Sequence, residues 1–325
     1  MANIRLEWAQ FGDFDSFEVI RSNTSLEYVA DSDLPAPIAT NLKTMFYVDN
    51  TVIDGSVYYY KVRALRDSEA FVSGQVLAAA TPLPELTGGN EQVITILDQD
   101  YKVHTFTANG TVNVTKAGMV DILVVGGGGG AGVNAVGGAG GGGVILQSLK
   151  VNEGVYSVIV GAGGYSTANG GDSSIFDVVA LGGGHTRANS SGAVGGCGGG
   201  GSASTRIDPA GGAGTPGQGF DGGRAFGNTD IGSRRGGGGG GAGAPGTNAA
   251  YAVAGNGGDG LLVTIRGVEE YFGGGGGAHN GGIGGKGGGG SGNVNGAPNT
   301  GGGCGGYGNG PGSGGSGIVI IRYLI

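Results

Sequence analysis

The chain has 325 residues, 83 of them glycine, a formal net charge of −8 and a pI near 4.8. The length suits two domains. The acidic balance, with only isolated Arg-Gly steps such as Arg235-Gly236 and Arg266-Gly267, excludes the basic footprint and dense RGG repeats of a nucleic-acid binder. Seven glycines precede Gly126 and the remaining 76 (83 − 7) lie between Gly126 and Gly317. Two different polymers are joined end to end. The opening MANIRLEWAQ lacks the apolar stretch of a secretory signal, and no apolar run approaches the ~20 residues needed to span a bilayer. No membrane insertion is expected.

Residues 1–84 read as an all-β sandwich. IRLEW alternates, with Ile4, Leu6 and Trp8 on one face. FEVIRS follows as a second strand. In VYYYKVRAL, Tyr58, Tyr60, Val62 and Ala64 face one way and Tyr59, Lys61 and Arg63 the other. Short alternating strands separated by turn residues point to a sandwich. Trp8 on an early strand, FEVIRS, and YVDNTVIDGSVYYYKVRAL near the end together resemble a fibronectin type III module. That resemblance implies a corner tyrosine, Tyr58, whose hydroxyl ties the preceding turn. It implies a spacer or docking unit, not chemistry.

TPLPELTGGN, residues 81–90, reads as a Pro/Gly linker, and residues 85–325 as the second domain. KVHTFTANGTVNV carries an Asn109-Gly110 turn between alternating segments, which predicts a hairpin. Further strands are expected at Ile122–Val125, VYSVIV, SSIFDVVAL, GLLVTIRG and GIVIIRYLI. GGDGLLVTIRG (257–267) and GGSGIVIIRYL (314–324) read as a weak internal repeat.

Gly127, Gly129 and Gly132 satisfy G-x-G-x-x-G directly after an apolar run. A nucleotide cradle needs a helix after the glycines and an acid roughly 20 positions on. Here the glycines run into VNAVGGAGGGGVILQ, where each interior glycine costs a helix roughly 1 kcal/mol. The first acid is Glu153, beyond the next apolar run. The cradle reading is rejected, and no cofactor is expected.

Between the strands lie glycine runs at 126–130, 140–143, 198–201, 236–241, 273–277 and 287–290. Ordering glycine costs ~0.5–1 kcal/mol per residue beyond alanine, so something must offset that cost. A flexible linker is the alternative, but linkers are rarely punctuated by apolar strands such as ILVV, SVIV, LLVTI and IVII. The ordered form open to consecutive glycines is the extended threefold helix, with a rise of ~3.1 Å and no internal hydrogen bonds. Its peptide groups must pair with neighbours. The expectation is an all-β protein with few or no α-helices: the sandwich, then a β base bearing a lattice of parallel and antiparallel polyglycine II helices. A six-residue run spans roughly 19 Å. Cys197 and Cys304 read as free thiols, with a cross-link open if their runs lie side by side.

VHTFTANGTVNV, VDILVVGGGGGAG, VYSVIVGAGG with NGGDSSIF, and the closing GGSGIVIIRY resemble the glycine-rich domain of bacteriophage tail fibres. Related fibre-tip adhesins carry a polyglycine II sandwich. The resemblance covers roughly residues 91–325. It implies a virion protein of the tail fibre or tail tip, made in the host cytoplasm. Its partners would be a host surface receptor, an outer-membrane protein or glycan, and other tail proteins reached through the N-terminal module. Fibres of this class are often homotrimers, although no coiled coil or β-helical repeat here demands one.

A bare lattice offers no side chains, so recognition belongs to the loops where runs turn round. The candidates are Tyr165, His185, Arg187, Phe220, Arg224, Phe226, Arg234, Arg235, Tyr251 and Asn295. Exposed aromatics with Arg and Asn suit sugars or protein loops. The same aromatics could equally cover the lattice sides. Catalysis has little support: His104, His185 and His279 are scattered without metal-ligand spacing. Asp221 with Asp230 is the one loop carboxylate pair a polysaccharide-degrading enzyme could use. A purely structural connector is the remaining reading.

Overall fold

The computed structural model describes residues 2–9, 13–53, 55–67, 69–96, 99–134, 136–203 and 206–325. It is all-β; the described residues hold no α-helix and two short 3-10 turns, Asp31–Asp33 and Ile231–Ser233. The chain divides into two compact units, Met1–Glu85 with Lys116–Met119, and Leu86–Thr115 with Val120–Ile325.

The smaller unit contains β1 (Ala2–Glu7), β2 (Ser16–Ser22), β3 (Ala39–Leu42), β4 (Phe46–Asp49), β5 (Val57–Arg66), β6 (Glu69–Val72), β7 (Val76–Ala79) and β8 (Thr81–Pro82). One sheet runs β4-β1-β8; the other runs β3-β2-β5-β6, with β7 also on β5. Alternation aims Ala2, Ile4 and Leu6 from the first sheet at Val19, Tyr58 and Tyr60 from the second, and these close one core with Trp8 packed on it. The Tyr58 hydroxyl accepts a hydrogen bond from Ile53 N at 3.0 Å.

Asp49, fully buried, is the polar hub of this unit. It accepts from Arg21 Nη1 (2.7 Å), Tyr60 Oη (2.9 Å), Thr51 N (2.9 Å) and Thr51 Oγ1 (2.7 Å). Burial raises its carboxyl pKa, but these donors outweigh burial and hold it below the usual range.

The larger unit begins with β9 (Glu85–Thr87), β10 (Asn90–Ile96), β11 (Gln99–Phe106), β12 (Gly110–Lys116) and β13 (Gly118–Val125). It continues with β14 (Val144–Val151), β15 (Gly154–Val158), β16 (Ser173–Ile175), β17 (Val178–Ala180), β18 (Leu261–Val263), β19 (Glu270–Phe272) and β20 (Ile318–Leu324). A five-stranded sheet has the order β10-β11-β20-β13-β14, and a three-stranded sheet the order β15-β12-β9. The last strand of the chain is therefore central. On it Arg322 stands opposite Asp121 of β13 and pairs with its carboxylate at 2.6 Å.

The unbroken apolar runs on β13 and β20 follow from burial on both faces. Ile122, Val124, Val319 and Ile321 join one core with Phe106, Val112 and Val158. Leu123, Val125, Ile318 and Ile320 join another with Val144, Val263 and Phe272.

The Asn109-Gly110 step is not a hairpin turn, contrary to expectation. Both edges of β11 are taken, by β10 and β20, so the chain crosses to the other sheet and β12 pairs with β15 and β9. Asn109 Oδ1 is used to hold Val160 N at 2.8 Å. The segment 81–90 is likewise not an unpaired linker. Pro82 lies opposite Ala2, and Leu86 is buried in the base core. The two repeat-like segments both lead from glycines into a strand, but β18 is a short hairpin strand while β20 centres the main sheet.

Above the base stands the glycine lattice. Gly126 and Gly129 donate to Gly143 and Gly140, Gly127 and Gly130 to Gly171 and Ala168, and Gly128 and Ala131 to Gly315 and Gly312. Residues three apart address the same neighbour and successive residues address different ones. That is the signature of a helix with three residues per turn.

The run 236–242 is enclosed on six sides. It donates to segments 198–201, 244–247 and 273–276, and accepts from 255–258, 138–141 and 220–223. Segments 255–258 and 138–141 run parallel to it and the other four antiparallel, as their ascending or descending registers show. The run 138–143 is also ringed by six segments. An added Cβ would collide with a neighbouring carbonyl oxygen: Asn256 O at Gly238, Ala139 O at Gly239, Phe220 O at Gly240. The hydrogens on these Cα atoms therefore face carbonyl oxygens, the weak C–H···O geometry.

The lattice departs from the predicted runs in two ways. In 287–290, Gly287 and Gly288 take φ of +88° and +87° and form a turn, so only the second half joins. Many helices come instead from short segments of mixed composition, such as 161–164, 220–224 and 255–259. Cys197 and Cys304 lie inside the lattice as free, buried thiols. Burial pushes both thiols up to about 12.

Candidate functional site

The lattice has two ends. Residues 126, 143, 242 and 273 lie at the base end, beside β13, β14 and β19, and the opposite turns form the distal end. Side chains gather at these turns because every interior edge is backbone. Gly127, Gly129 and Gly132 donate to Gly171, Gly140 and Thr186 carbonyls, so none of these amides is available to a phosphate.

At the distal end the segment 226–235 folds back on itself, with Phe226 and Arg235 exchanging both backbone hydrogen bonds at 2.9 and 3.0 Å. Phe226 meets Tyr251 edge to face, centroids 6.3 Å apart. Ala249 N donates to Arg224 O at 2.8 Å and Arg224 N to Asn248 Oδ1 at 2.7 Å, which fixes the second loop beside the first. Asp208 closes the group: its Oδ1 accepts from Gly227 N at 2.6 Å, and its Oδ2 lies 3.7 Å from Arg224 Nη1. That ion pair is exposed, so it contributes little. Tyr251 is 61% exposed, and Ile207, next to Asp208 in sequence, and Val253, two residues after Tyr251, are also exposed.

Arg234 and Arg235 are turned toward their own loop. Arg234 Nε donates to Asn228 O at 2.8 Å, and Arg235 Nη1 to Gly232 O at 2.8 Å and Arg234 O at 2.7 Å.

A second distal group surrounds Ala131 and Gly132, which are paired to Gly312 and Thr186. Tyr165 is exposed there, bridged to Ser313, and Arg187 is exposed next to Thr186. His185 gives N (3.0 Å) and Nδ1 (2.7 Å) to Asn169 Oδ1. Burial, then the Arg187 charge, lowers its pKa. Asn295 belongs to a third group, where its Oδ1 accepts from Ser313 N at 2.9 Å and Tyr307 Oη at 3.0 Å.

Phe220 departs from the other candidates. It lies at the base end, where it lines a cavity of about 600 Å³ with Val144, Pro216, Asp221, Pro245 and Leu261. The reason is direction: the segment starting at Phe220 climbs from base to tip, so only its far end, Arg224 and Phe226, reaches the distal surface. Asp221 and Asp230 fall at opposite ends for the same reason, and each binds a backbone amide, Gly214 N at 2.8 Å and Gly232 N at 3.0 Å.

Other loop asparagines serve the turns. Asn134, Asn189, Asn280 and Asn293 hold φ between 54° and 64°, the left-handed region asparagine tolerates. The exposed aliphatics Val133, Ile207, Val253 and Val294 were not among the sequence candidates. Their signal was a lone β-branched residue in a glycine-poor turn, with no strand around it.

A model of the glycine-rich domain matches residues 105–324. That is most of the chain, which therefore belongs to the glycine-rich domain family. No curated protein and no solved structure matches it.

Proposed function

We propose that the chain is a bacteriophage tail-fibre or tail-tip protein that binds a host surface receptor, without catalysis, through the distal loops. The observation that carries this reading is the segregation of side chains: the lattice interior spends its peptide groups on itself, while at one tip Phe226 packs on Tyr251 and Arg224 pairs with Asp208, with Ile207 and Val253 exposed close to them in sequence. Aromatic anchors ringed by arginine and asparagine suit an outer-membrane protein loop or a glycan. The two-sheet smaller unit, with its Tyr58–Ile53 tie, supports the fibronectin type III likeness and a docking role toward other tail proteins. The separation of Asp221 from Asp230 weighs against a depolymerase, since paired glycosidase carboxylates sit within roughly 5–10 Å.

The test is binding of the purified chain to host cells, with the double variant Phe226→Ser, Tyr251→Ser. The variant is expected to keep its melting profile and lose at least about tenfold in affinity, as hot-spot aromatics do. No binding by the parent chain, or unchanged binding by a folded variant, would overturn the tip assignment and favour a structural connector.

A further inference from the structure

Six Asn-Gly steps punctuate the chain, at 109–110, 169–170, 256–257, 280–281, 295–296 and 309–310. Each is chemically capable of the same reaction. The glycine amide nitrogen attacks the asparagine side-chain carbonyl carbon, ammonia leaves, and a five-membered succinimide closes. Water then opens the ring to aspartate or isoaspartate, so the net change is gain of water and loss of ammonia. The reaction needs a side-chain amide free to swing and a backbone nitrogen without an acceptor.

Four steps lack that freedom. Asn169 is held at both ends, by His185 and by Val194 O at 2.9 Å, and Gly170 N donates to Gly183 O. Asn256 Oδ1 accepts from Ile283 N, and Gly257 N donates to Ile283 O. Asn295 Oδ1 accepts from Ser313 N, and Gly296 N donates to Ser313 O. Asn109 Oδ1 accepts from Val160 N, and Gly110 sits in a strand.

Asn280 and Asn309 are exposed, and among the described residues neither their side chains nor the Gly281 and Gly310 nitrogens have a hydrogen-bond partner. Gly281 and Gly310 have φ of +114° and +97°, and a Cβ added at either would meet nothing within 4 Å. Both steps sit in distal turns, and the His279 ring reaches from the first to Gly308 in the second, where an added Cβ would lie 2.6 Å from Nε2.

We propose that Asn280-Gly281 and Asn309-Gly310 are self-modifying sites at which the distal end converts spontaneously to aspartate and isoaspartate, while the other four steps are protected by the fold. Conversion places one new carboxylate next to His279 in sequence and a second in the turn its ring reaches, and takes the formal net charge from −8 to −10 (−8 − 2). If the distal end binds a receptor, which rests on the reading above, its charge there changes with age.

The experiment is peptide mapping of the full chain after incubation in mildly alkaline buffer made with heavy-oxygen water, beside a sample held in denaturant. In the folded chain, label is expected at 280 and 309. Residues 109, 169, 256 and 295 should react roughly tenfold or more slowly, because each must first open locally. In denaturant all six should react alike. Equal rates at all six in the folded chain, or slow reaction at 280 and 309, would overturn the proposal. Either outcome is independent of whether the chain binds host cells.

Discussion

The two units solve the same problem with opposite materials. The smaller unit orders its backbone by burying side chains: Ile4, Leu6, Val19, Tyr58 and Tyr60 leave water together, each worth roughly 1.5–3 kcal/mol. The glycine lattice buries almost no side chain between its helices. It relies on peptide hydrogen bonds and on an approach so close that only hydrogen fits between neighbours. The difference teaches that low complexity does not mean disorder when each glycine has a distinct partner, and that tolerance to a methyl group is opposite in the two units.

The sharpest way to break this comparison is Gly239→Ala. The added Cβ would meet the Ala139 carbonyl oxygen, which belongs to a helix ringed by six segments and cannot yield alone. A loss of about 3 kcal/mol is expected in the larger unit, at the top of the usual range for overpacking. Denaturant melting followed by amide exchange of Gly236 to Gly241 would read it; a variant as stable as the parent would mean that the helices do not touch.

Next in size is Asp49→Asn. It leaves the Arg21 guanidinium without its carboxylate and should cost the smaller unit about 2 kcal/mol. The sign with pH follows from the depressed pKa. The carboxylate's contribution is present above its unfolded value of about 3.9 and is lost as pH falls through the lower folded value. An acid titration of stability should therefore be flatter below that point in the variant. An equally steep acid limb in both proteins would assign the stabilisation elsewhere.

The smallest effect runs the other way. Gly74→Ala adds a methyl group where nothing lies within 4 Å and φ is not positive. It should stabilise the smaller unit by about 0.4–1 kcal/mol by restricting the unfolded chain. A destabilisation of similar size would show that the contrast between the two units is not steric.

Much of this fold could be read before any coordinates. Alternation marked β1 and β5, the unbroken apolar runs marked β13 and β20 as strands covered on both faces, and the glycine runs pointed to threefold helices. The tip was legible in part: Phe226, Tyr251 and Arg224 meet as loop neighbours, while Phe220 was misplaced because nothing local says which way a run climbs. The exposed aliphatics at the turns escaped attention because an isolated valine carries no period.

The residue order alone determined the class of structure, since side-chain alternation and bare glycine restrict the backbone conformations that can be ordered. It did not determine which peptide group pairs with which. The edges of β11 went to β10 and the distant β20, not to its neighbour β12, and Gly239 found Gly276 and Gly258. Every glycine amide is chemically identical to the next, so partner choice is made only when the whole lattice closes and all of its peptide groups are satisfied together.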